Sequence, residues 1–364
     1  MTIAHINRIA TALPPFKVHD AFVGFVAAAL EDPKARRLFE RMVARSGIEE
    51  RYSFLEPVTL EDGTITDRDR FYGVGDWPTT EARMLRYEAC APGLALQAIE
   101  GLGIEDPGSI THLIVASCTG FVAPGIDQRL VTLAGLDPGV ERTVVGFMGC
   151  YAAVNALRLA HHIVRSTPAA RVLVVNLELC TLHFQRTGDL ERLLAMLLFG
   201  DGCGAALVSA EPKGIALHDF RAVNIDQTSE AMTWRIGDQG FDMHLGGEVP
   251  IRIGQALARE RAEPSVGGLL RGRAPEDYTH WAVHAGGRSI LDAVQQGLDL
   301  SPDALGISRD ILRDYGNLSS ATLMFVLKEH LRRSVGTPSQ PESGFAVAFG
   351  PGLAAESFRF SLTG

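Results

Sequence analysis

Three residues of reactive type sit where a chain could use them. Cys150 follows the run TVVGFMG and precedes AAVNALRLAHHIVR, whose apolar positions Ala153, Leu157, Ala160 and Val164 recur at helical spacing. The thiol is therefore expected where a strand turns into a helix. Unpaired N–H groups and positive partial charge at a helix start favour a thiolate and can lower the cysteine pKa below about 8.5. Gly149 beside it permits a tight turn and close ligand approach. A buried structural cysteine is the other reading, and it is the commoner fate of a free cysteine. Position alone leaves both open. His284 ends HWAVH before Gly286 and Gly287, as a group facing a cavity or as a satisfied polar side chain. Asn317 follows Gly316 and precedes SSATLMFVLKEHLRR, where helix capping alone would explain it.

The elements that must position these residues alternate. THLIVAS, TVVGF, RVLVVNLEL and CGAALVSA read as buried strands separated by amphipathic stretches of helix length, so the class is α/β. The chain also resembles itself. THLIVASCTG from Thr111 is similar to THWAVHAGG from Thr279, and GCYAAVNALRLA around Cys150 is similar to GNLSSATLMFVL around Asn317. The two pairs have nearly the same spacing, which suggests a duplicated half. We place the halves at 1–210 and 211–364, with the junction near Ala210 in SAEPKGIALHD, and expect one compact body. Packing about a pseudo-two-fold axis would make Cys150 and Asn317 neighbours, with His284 in the strand system of the Asn317 half. A cysteine activated by ion pairing with histidine accepts an acyl group. Imidazole and amide can then donate hydrogen bonds to a thioester carbonyl as it becomes an enolate. Decarboxylative Claisen condensation needs this set.

Composition removes other classes. The 364 residues are 46% hydrophobic and 21% charged, without an apolar run approaching the ~18 residues of a membrane span. The start, MTIAHINRIATALPP, has neither a basic leader nor an apolar signal core, so a cytoplasmic protein without membrane partners is expected. Five scattered cysteines without CxxC spacing argue against disulfides and against a metal. A net charge of −9 argues against a nucleic-acid surface. One basic patch stands out in DPKARRLFERMVAR, where Lys34, Arg37, Arg41 and Arg45 share a helical face. By default such a stripe is solvated surface.

The blocks GFMGCYAAVNALRLA, LFGDGCGAAL, VHAGGRSIL, YGNLSSATLMFVL and FGPGLAAES resemble, in order, the signature blocks of the chalcone and stilbene synthase superfamily, the type III polyketide synthases. With THLIVASCTGFVAPG the resemblance runs from about residue 40 to the end. It implies a thiolase-like five-layered αβαβα fold, a homodimer, no metal or redox cofactor, and malonyl-CoA and a starter acyl-CoA as substrates. The implied reaction is iterative condensation of malonyl-CoA onto a starter held on Cys150, then cyclisation to a small aromatic or pyrone. His284 and Asn317 resemble the residues that decarboxylate malonyl-CoA and hold the enolate. Phe199 resembles a gatekeeper between the coenzyme A tunnel and the cavity, and Met243 aligns with the second gatekeeper phenylalanine of plant enzymes. Arg41 and Arg45 resemble two grips on coenzyme A phosphates. A third family lysine falls on Leu38, next to Arg37 of the basic face.

Departures from the plant pattern concern the cavity. Trp234 stands where plant enzymes carry glycine, and Cys118 and Cys180 where they carry threonines, which is similar to bacterial tetrahydroxynaphthalene synthases that start from malonyl-CoA. AFGPG begins with Ala348 where glycine is usual. Glu178, Ser319 and Cys118 form a candidate polar cluster for ring closure, with His183 counted among the cavity residues. The nearest rival is ketoacyl synthase III, which primes fatty acid synthesis on an acyl carrier protein. It shares the fold and the Cys, His, Asn order, while HAGG, FGPG and the chain length stand against it. A papain-like hydrolase also uses Cys, His and Asn, but would expect disulfides and a nucleophile near the N-terminus.

Overall fold

The computed structural model describes residues 2–73, 77–226, 228–333 and 342–363. Nine strands form one hydrogen-bonded sheet: β1 (Ala4–Ala12), β2 (His112–Ser117), β3 (Glu141–Gly146), β4 (Val172–Leu179), β5 (Asp201–Ser209), β6 (Gly214–Asn224), β7 (His280–Val283), β8 (Glu342–Gly350) and β9 (Ala354–Thr363). Their order is β7-β8-β9-β6-β1-β5-β4-β2-β3, and β1 pairs with β6 antiparallel at the centre. Outward from that pair, one arm runs β1, β5, β4, β2, β3 and the other β6, β9, β8, β7. Each arm takes its strands in the same sequence order, and the second stops one strand short.

Ten helices are described: α1 (His19–Ala29), α2 (Pro33–Ser46), α3 (Thr80–Glu100), α4 (Ile126–Leu133), α5 (Ala152–Ser166), α6 (Leu190–Leu198), α7 (Val249–Ala262), α8 (Arg288–Leu298), α9 (Gly306–Tyr315) and α10 (Thr322–Arg333). Alternation along the strands sorts them into layers, because successive side chains point to opposite faces. In β2, Leu113 and Val115 pack with Tyr87, Ala91 and Leu94 of α3, whereas Ile114 and Ala116 pack with Ala153, Leu157 and Ala160 of α5. In the other arm, Ala282 and Ala346 face the centre with Leu323 and Val326 of α10, whereas Trp281 and Phe345 face Ile253 of α7 and Leu291 of α8. The result is the five-layered αβαβα architecture, with α5 and α10 between the two arms of strands. Small residues at the centre, such as Ala152, Ala153, Ala156 and Ala160, are fully buried and let two helices fit between the two arms of the sheet.

One strand assignment needs correction. The run TVVGF lies on β3, which is largely exposed, with Val144 at 54%. It is the edge of the sheet, and among the described residues β2 is its one strand partner. Hydrophobic content cannot distinguish burial by one's own chain from burial by another. No helix among the described residues is long and apolar enough to cross a membrane.

Candidate active site

Cys150 and Asn317 sit on two turns of similar build. The chain leaves β3, passes Gly149 at φ +75°, makes a 3-10 turn over Gly149–Tyr151 and enters α5. It leaves α9 through Gly316 at φ +69°, makes a 3-10 turn over Ser319–Ala321 and enters α10. A Cβ on Gly149 would meet Pro351 Cδ at 2.4 Å, so the Pro351 loop closes directly over the nucleophile's turn. Asn317 secures its own turn. Its Oδ1 accepts the Ser319 N–H at 2.8 Å and its Nδ2 donates to the Gly286 carbonyl at 3.1 Å. One of the two Nδ2 hydrogens remains for another acceptor. Ser319 is held at φ +48°, a conformation that costs a non-glycine residue on the order of 1 kcal/mol or more. Its hydroxyl lies 3.8 Å from the Cys150 sulfur.

Electrostatics corrects the expectation of a thiolate lowered by a helix start. Burial is the largest effect on Cys150 and pushes its pKa up to about 12, and the nearby Glu178 carboxyl adds to it, against opposing help from Ser319 and Asn317. Burial likewise pulls His284 down to about 3, and neither ring nitrogen finds a partner among the described residues. Gly286, whose carbonyl anchors Asn317, lies beside the His284 ring, and its own N–H donates to the His284 carbonyl at 2.8 Å. His284, Gly286 and Asn317 thus form one connected group.

An apolar cavity of about 150 Å³ opens onto Cys150. Cys118, Cys180, His183 and Ser319 line it, and so do Phe199, Trp234 and Met243. Strand pairing explains two of these. Trp234 and Met243 lie opposite each other in the hairpin Met232–Gly237/Gly240–Leu245, so both project from one face. The indole Nε1 donates to the Cys118 carbonyl at 2.8 Å, which fixes the ring. Phe199 forms an isolated bridge with Asn317. His284 and Asn317 are 1% and 3% exposed and stand outside the cavity lining.

Two cavity expectations change in detail. Glu178 does not line the cavity. It sits behind Cys118, accepting from the Cys118 N–H at 3.0 Å, the Thr119 hydroxyl at 2.8 Å and the Ser320 hydroxyl at 2.5 Å. Burial raises its pKa while these donors oppose the rise. Ser319 belongs to the cluster through Cys118, 3.2 Å from its sulfur. His183 lines the cavity with both nitrogens already engaged: Nε2–H donates to the Thr119 carbonyl at 2.7 Å and Nδ1 accepts the Phe241 N–H at 3.0 Å. Stacked on Phe241 and pulled down to about 3 by burial, it fixes the hairpin that carries Met243.

Sequence reasoning missed Thr119 and Ser320, the hydroxyls that satisfy Glu178, and the buried Arg51 in the cavity wall. Thr119 and Ser320 lie inside the quoted blocks and Arg51 six residues beyond the basic run, but nothing in the linear sequence marks their inward direction. The stripe on α2 lies outside the cavity. Asp32 caps this helix by accepting the Lys34 and Ala35 N–H groups, and Phe39 buries its inner side. Arg37, Arg41 and Arg45 are all exposed. No group of three metal-ligating side chains occurs among the described residues.

The comparisons with known proteins agree along the whole chain. Residues 4–212 match the N-terminal domain of chalcone and stilbene synthases, and residues 217–362 match their C-terminal domain. The bisdemethoxycurcumin synthase of Oryza sativa is 33% identical over 99% of this chain and 93% of its own length. An alpha-pyrone synthesis polyketide synthase-like protein of Mycobacterium tuberculosis is 30% identical over 99% of this chain and 92% of its own. The crystal structure of PKS-I from the brown alga Ectocarpus siliculosus superposes with a TM-score of 0.87 at 28% identity, covering 100% of this chain and 99% of that one.

Proposed function

The chain belongs to the chalcone and stilbene synthase family and is a type III polyketide synthase, an acyltransferase, and from that premise we propose how its residues divide the reaction. The Cys150 thiolate attacks a starter acyl-CoA, forming an acyl thioester and releasing coenzyme A. Malonyl-CoA loses carbon dioxide, and the electron pair left behind forms an enolate held by hydrogen bonds from His284 and Asn317. The enolate carbon attacks the acyl thioester, expels the Cys150 thiolate and yields a β-ketoacyl-CoA two carbons longer. Repetition and cyclisation give a small aromatic or pyrone. The observation that carries this reading is the junction of the two turns, where Ser319 and Asn317 oppose the burial of the Cys150 thiol.

Burial acting separately on Cys150 and His284 favours two neutral groups. Moving the thiol proton to the imidazole would create a pair of opposite charges that stabilise each other, and buried charges persist when so paired. We assign the nucleophile's activation to that pair. Phe199 and Met243 serve as gatekeepers. Arg37, Arg41 and Arg45 offer coenzyme A phosphates a basic face, supported by their shared exposure on α2. The halves 1–210 and 211–364 would be duplicates, a reading supported by the matching strand order of the two arms. A homodimer is supported by the unpaired edge of β3, with Val144 at 54% and Phe121 at 44% exposure, because an open apolar edge is a template for another strand.

A cavity of about 150 Å³ is small against the roughly 300–1,000 Å³ usual for ligand clefts, which favours malonyl-CoA or another short starter. A fatty acyl starter is the second reading. It is favoured by a neighbouring hollow of about 740 Å³ that shares Phe25, Tyr72 and Phe184 with the cavity wall. Incubation with malonyl-CoA and acetyl, hexanoyl, lauroyl and coumaroyl thioesters, read as product masses, separates these readings. Products from malonyl-CoA alone are expected. Elongation only of lauroyl-CoA would select the second reading, and no condensation with any thioester would reject both.

A further inference from the structure

Arg51 is among the largest side chains buried in the molecule, 2% exposed, and it reaches the wall of the catalytic cavity. Its backbone is fixed first. The Glu49 and Glu50 N–H groups donate to the Arg313 carbonyl at the end of α9, and the Arg51 carbonyl accepts the Val18 N–H at 2.8 Å. From there the side chain passes between two glycines. A Cβ on Gly316 would lie 2.8 Å from Arg51 Cγ, and one on Gly200 would lie 3.4 Å from Arg51 Cβ. The glycine before Asn317 thus clears the path of this arginine, while Gly200, whose added Cβ would first meet the Tyr315 carbonyl at 3.0 Å, borders it.

At its end the guanidinium holds the exit of α6. Nη1 donates to the carbonyls of Met196 at 2.9 Å and Phe199 at 2.8 Å, groups that a helix end leaves without intrahelical partners. Nε donates to His19 Nδ1 at 3.1 Å, and the group lies 4.5 Å from the Phe22 ring centre. The segment it holds is tied to Asn317 on both sides. The Asn317 N–H donates to the Leu198 carbonyl at 2.8 Å, and the Gly200 N–H donates to the Asn317 carbonyl at 3.0 Å.

We propose that Arg51 is a positioning residue that sets the gate and the enolate donor together, fixing Phe199 directly and Asn317 through the paired backbone of residues 198–200. Resting on the roles assigned above to Phe199 and Asn317, the proposal makes starter choice and decarboxylation depend on one buried side chain that acts through the main chain of residues 198–200. The exposed arginines of α2 cannot substitute, because the contacts are to main-chain carbonyls at the end of α6.

The test compares Arg51→Met and Arg51→Lys with wild type in the full chain. Three quantities are read: acetyl-CoA released from malonyl-CoA, relative kcat/KM for acetyl-CoA and hexanoyl-CoA starters, and the fraction of Cys150 that accepts an acyl group by intact mass. Rates are expressed per acylatable Cys150. Misplacement by about an ångström can cost 10²-fold, so Arg51→Met should lower decarboxylation roughly 10- to 10²-fold with a much smaller change in KM, and level the starter ranking. Arg51→Lys, which retains a cationic donor, should recover most of both. If Arg51→Met does not fold, His19→Leu removes the acceptor that orients the guanidinium and should shift both readouts in the same direction. A fall in melting temperature and acylatable fraction, with rate per site and starter ranking unchanged, would overturn the proposal. A wild type that acylates Cys150 but neither releases acetyl-CoA nor forms an elongated product from malonyl-CoA would remove the parent role of Asn317, and this proposal with it.

Discussion

The turn at Cys150 and the turn at Asn317 both lead through a 3-10 turn into a buried helix, with Cys150 inside its turn and Asn317 two residues before it, and they differ in what they carry. Both begin at a glycine with positive φ, and both helices lie between the two arms of the sheet. The first is followed by alanines, and its stability comes from outside, from Pro351 packed on Gly149. The second is followed by Ser319, Ser320 and Thr322 and is held by its own polar groups, with Asn317 capping it. If the halves are duplicates and the roles proposed above hold, one frame places two different chemistries together, a soft nucleophile on one turn and hydrogen-bond donors on the other. Neither turn alone could both accept an acyl group and stabilise an enolate.

The largest effect is expected from emptying the first turn. Cys150→Ala should abolish polyketide formation while malonyl-CoA decarboxylation persists, because the opposite turn is intact; undiminished product would end the role of Cys150. Emptying the second should cost less. Loss of one oxyanion-type donor is worth about 10²–10³ in rate, so Asn317→Ala should slow acetyl-CoA release by that order. The same change removes a cap worth about 0.5–2 kcal/mol, visible as a lower melting temperature. A wild-type rate with lowered stability would leave Asn317 only as a cap.

Backbone equivalence can be tested by adding one methyl group. Gly149→Ala would drive a Cβ into Pro351, and Gly316→Ala would place one 2.7 Å from the Leu198 carbonyl and 2.8 Å from Arg51 Cγ. Each should destabilise by about 1–3 kcal/mol, since a residue is forced into an unfavourable conformation at a crowded point. Unchanged melting in either variant would show that the two turns are not built alike. The basic face should give the mildest change. Arg41→Glu with Arg45→Glu should raise KM for coenzyme A thioesters far more than it lowers kcat, because a remote phosphate is bound equally in ground and transition states. Equal losses with a short acyl-N-acetylcysteamine thioester would return the stripe to plain surface.

Strands β2 to β5 and β7 and the placement of Cys150 before a helix are legible because periodicity of two and of 3.6 survives in the linear sequence, whereas β1, β6, β8 and β9 carry no run that the sequence marks. Cys118, Cys180, Phe199, Trp234 and Met243 came from the family resemblance, and the structure puts all five on one cavity. What escaped did so for physical reasons. Arg51 reads as surface because arginine is almost never fully buried unless paired, and its partners here are His19, 32 residues away, and carbonyls brought from 145 and 148 residues away. Glu178 groups with Ser319 in the sequence, but its direct hydroxyl partners are Thr119 and Ser320, the residues that follow Cys118 and Ser319 in the chain. The exposed face of β3 escaped because hydrophobicity does not say whose atoms cover it.

The ionisation of Cys150 is the point at which the two turns must cooperate, and its reaction with iodoacetamide across pH 5 to 11 tests that cooperation most directly. Burial alone would keep the thiol protonated to about pH 12, so alkylation would climb throughout the range. A thiolate paired with the His284 imidazolium would instead react at a rate that levels off near neutral pH, and His284→Ala would restore the climb. That plateau, and its loss in the variant, is the result expected here. A rate in the wild type that keeps rising beyond pH 9 and is indifferent to His284 would contradict the division of labour on which this account rests.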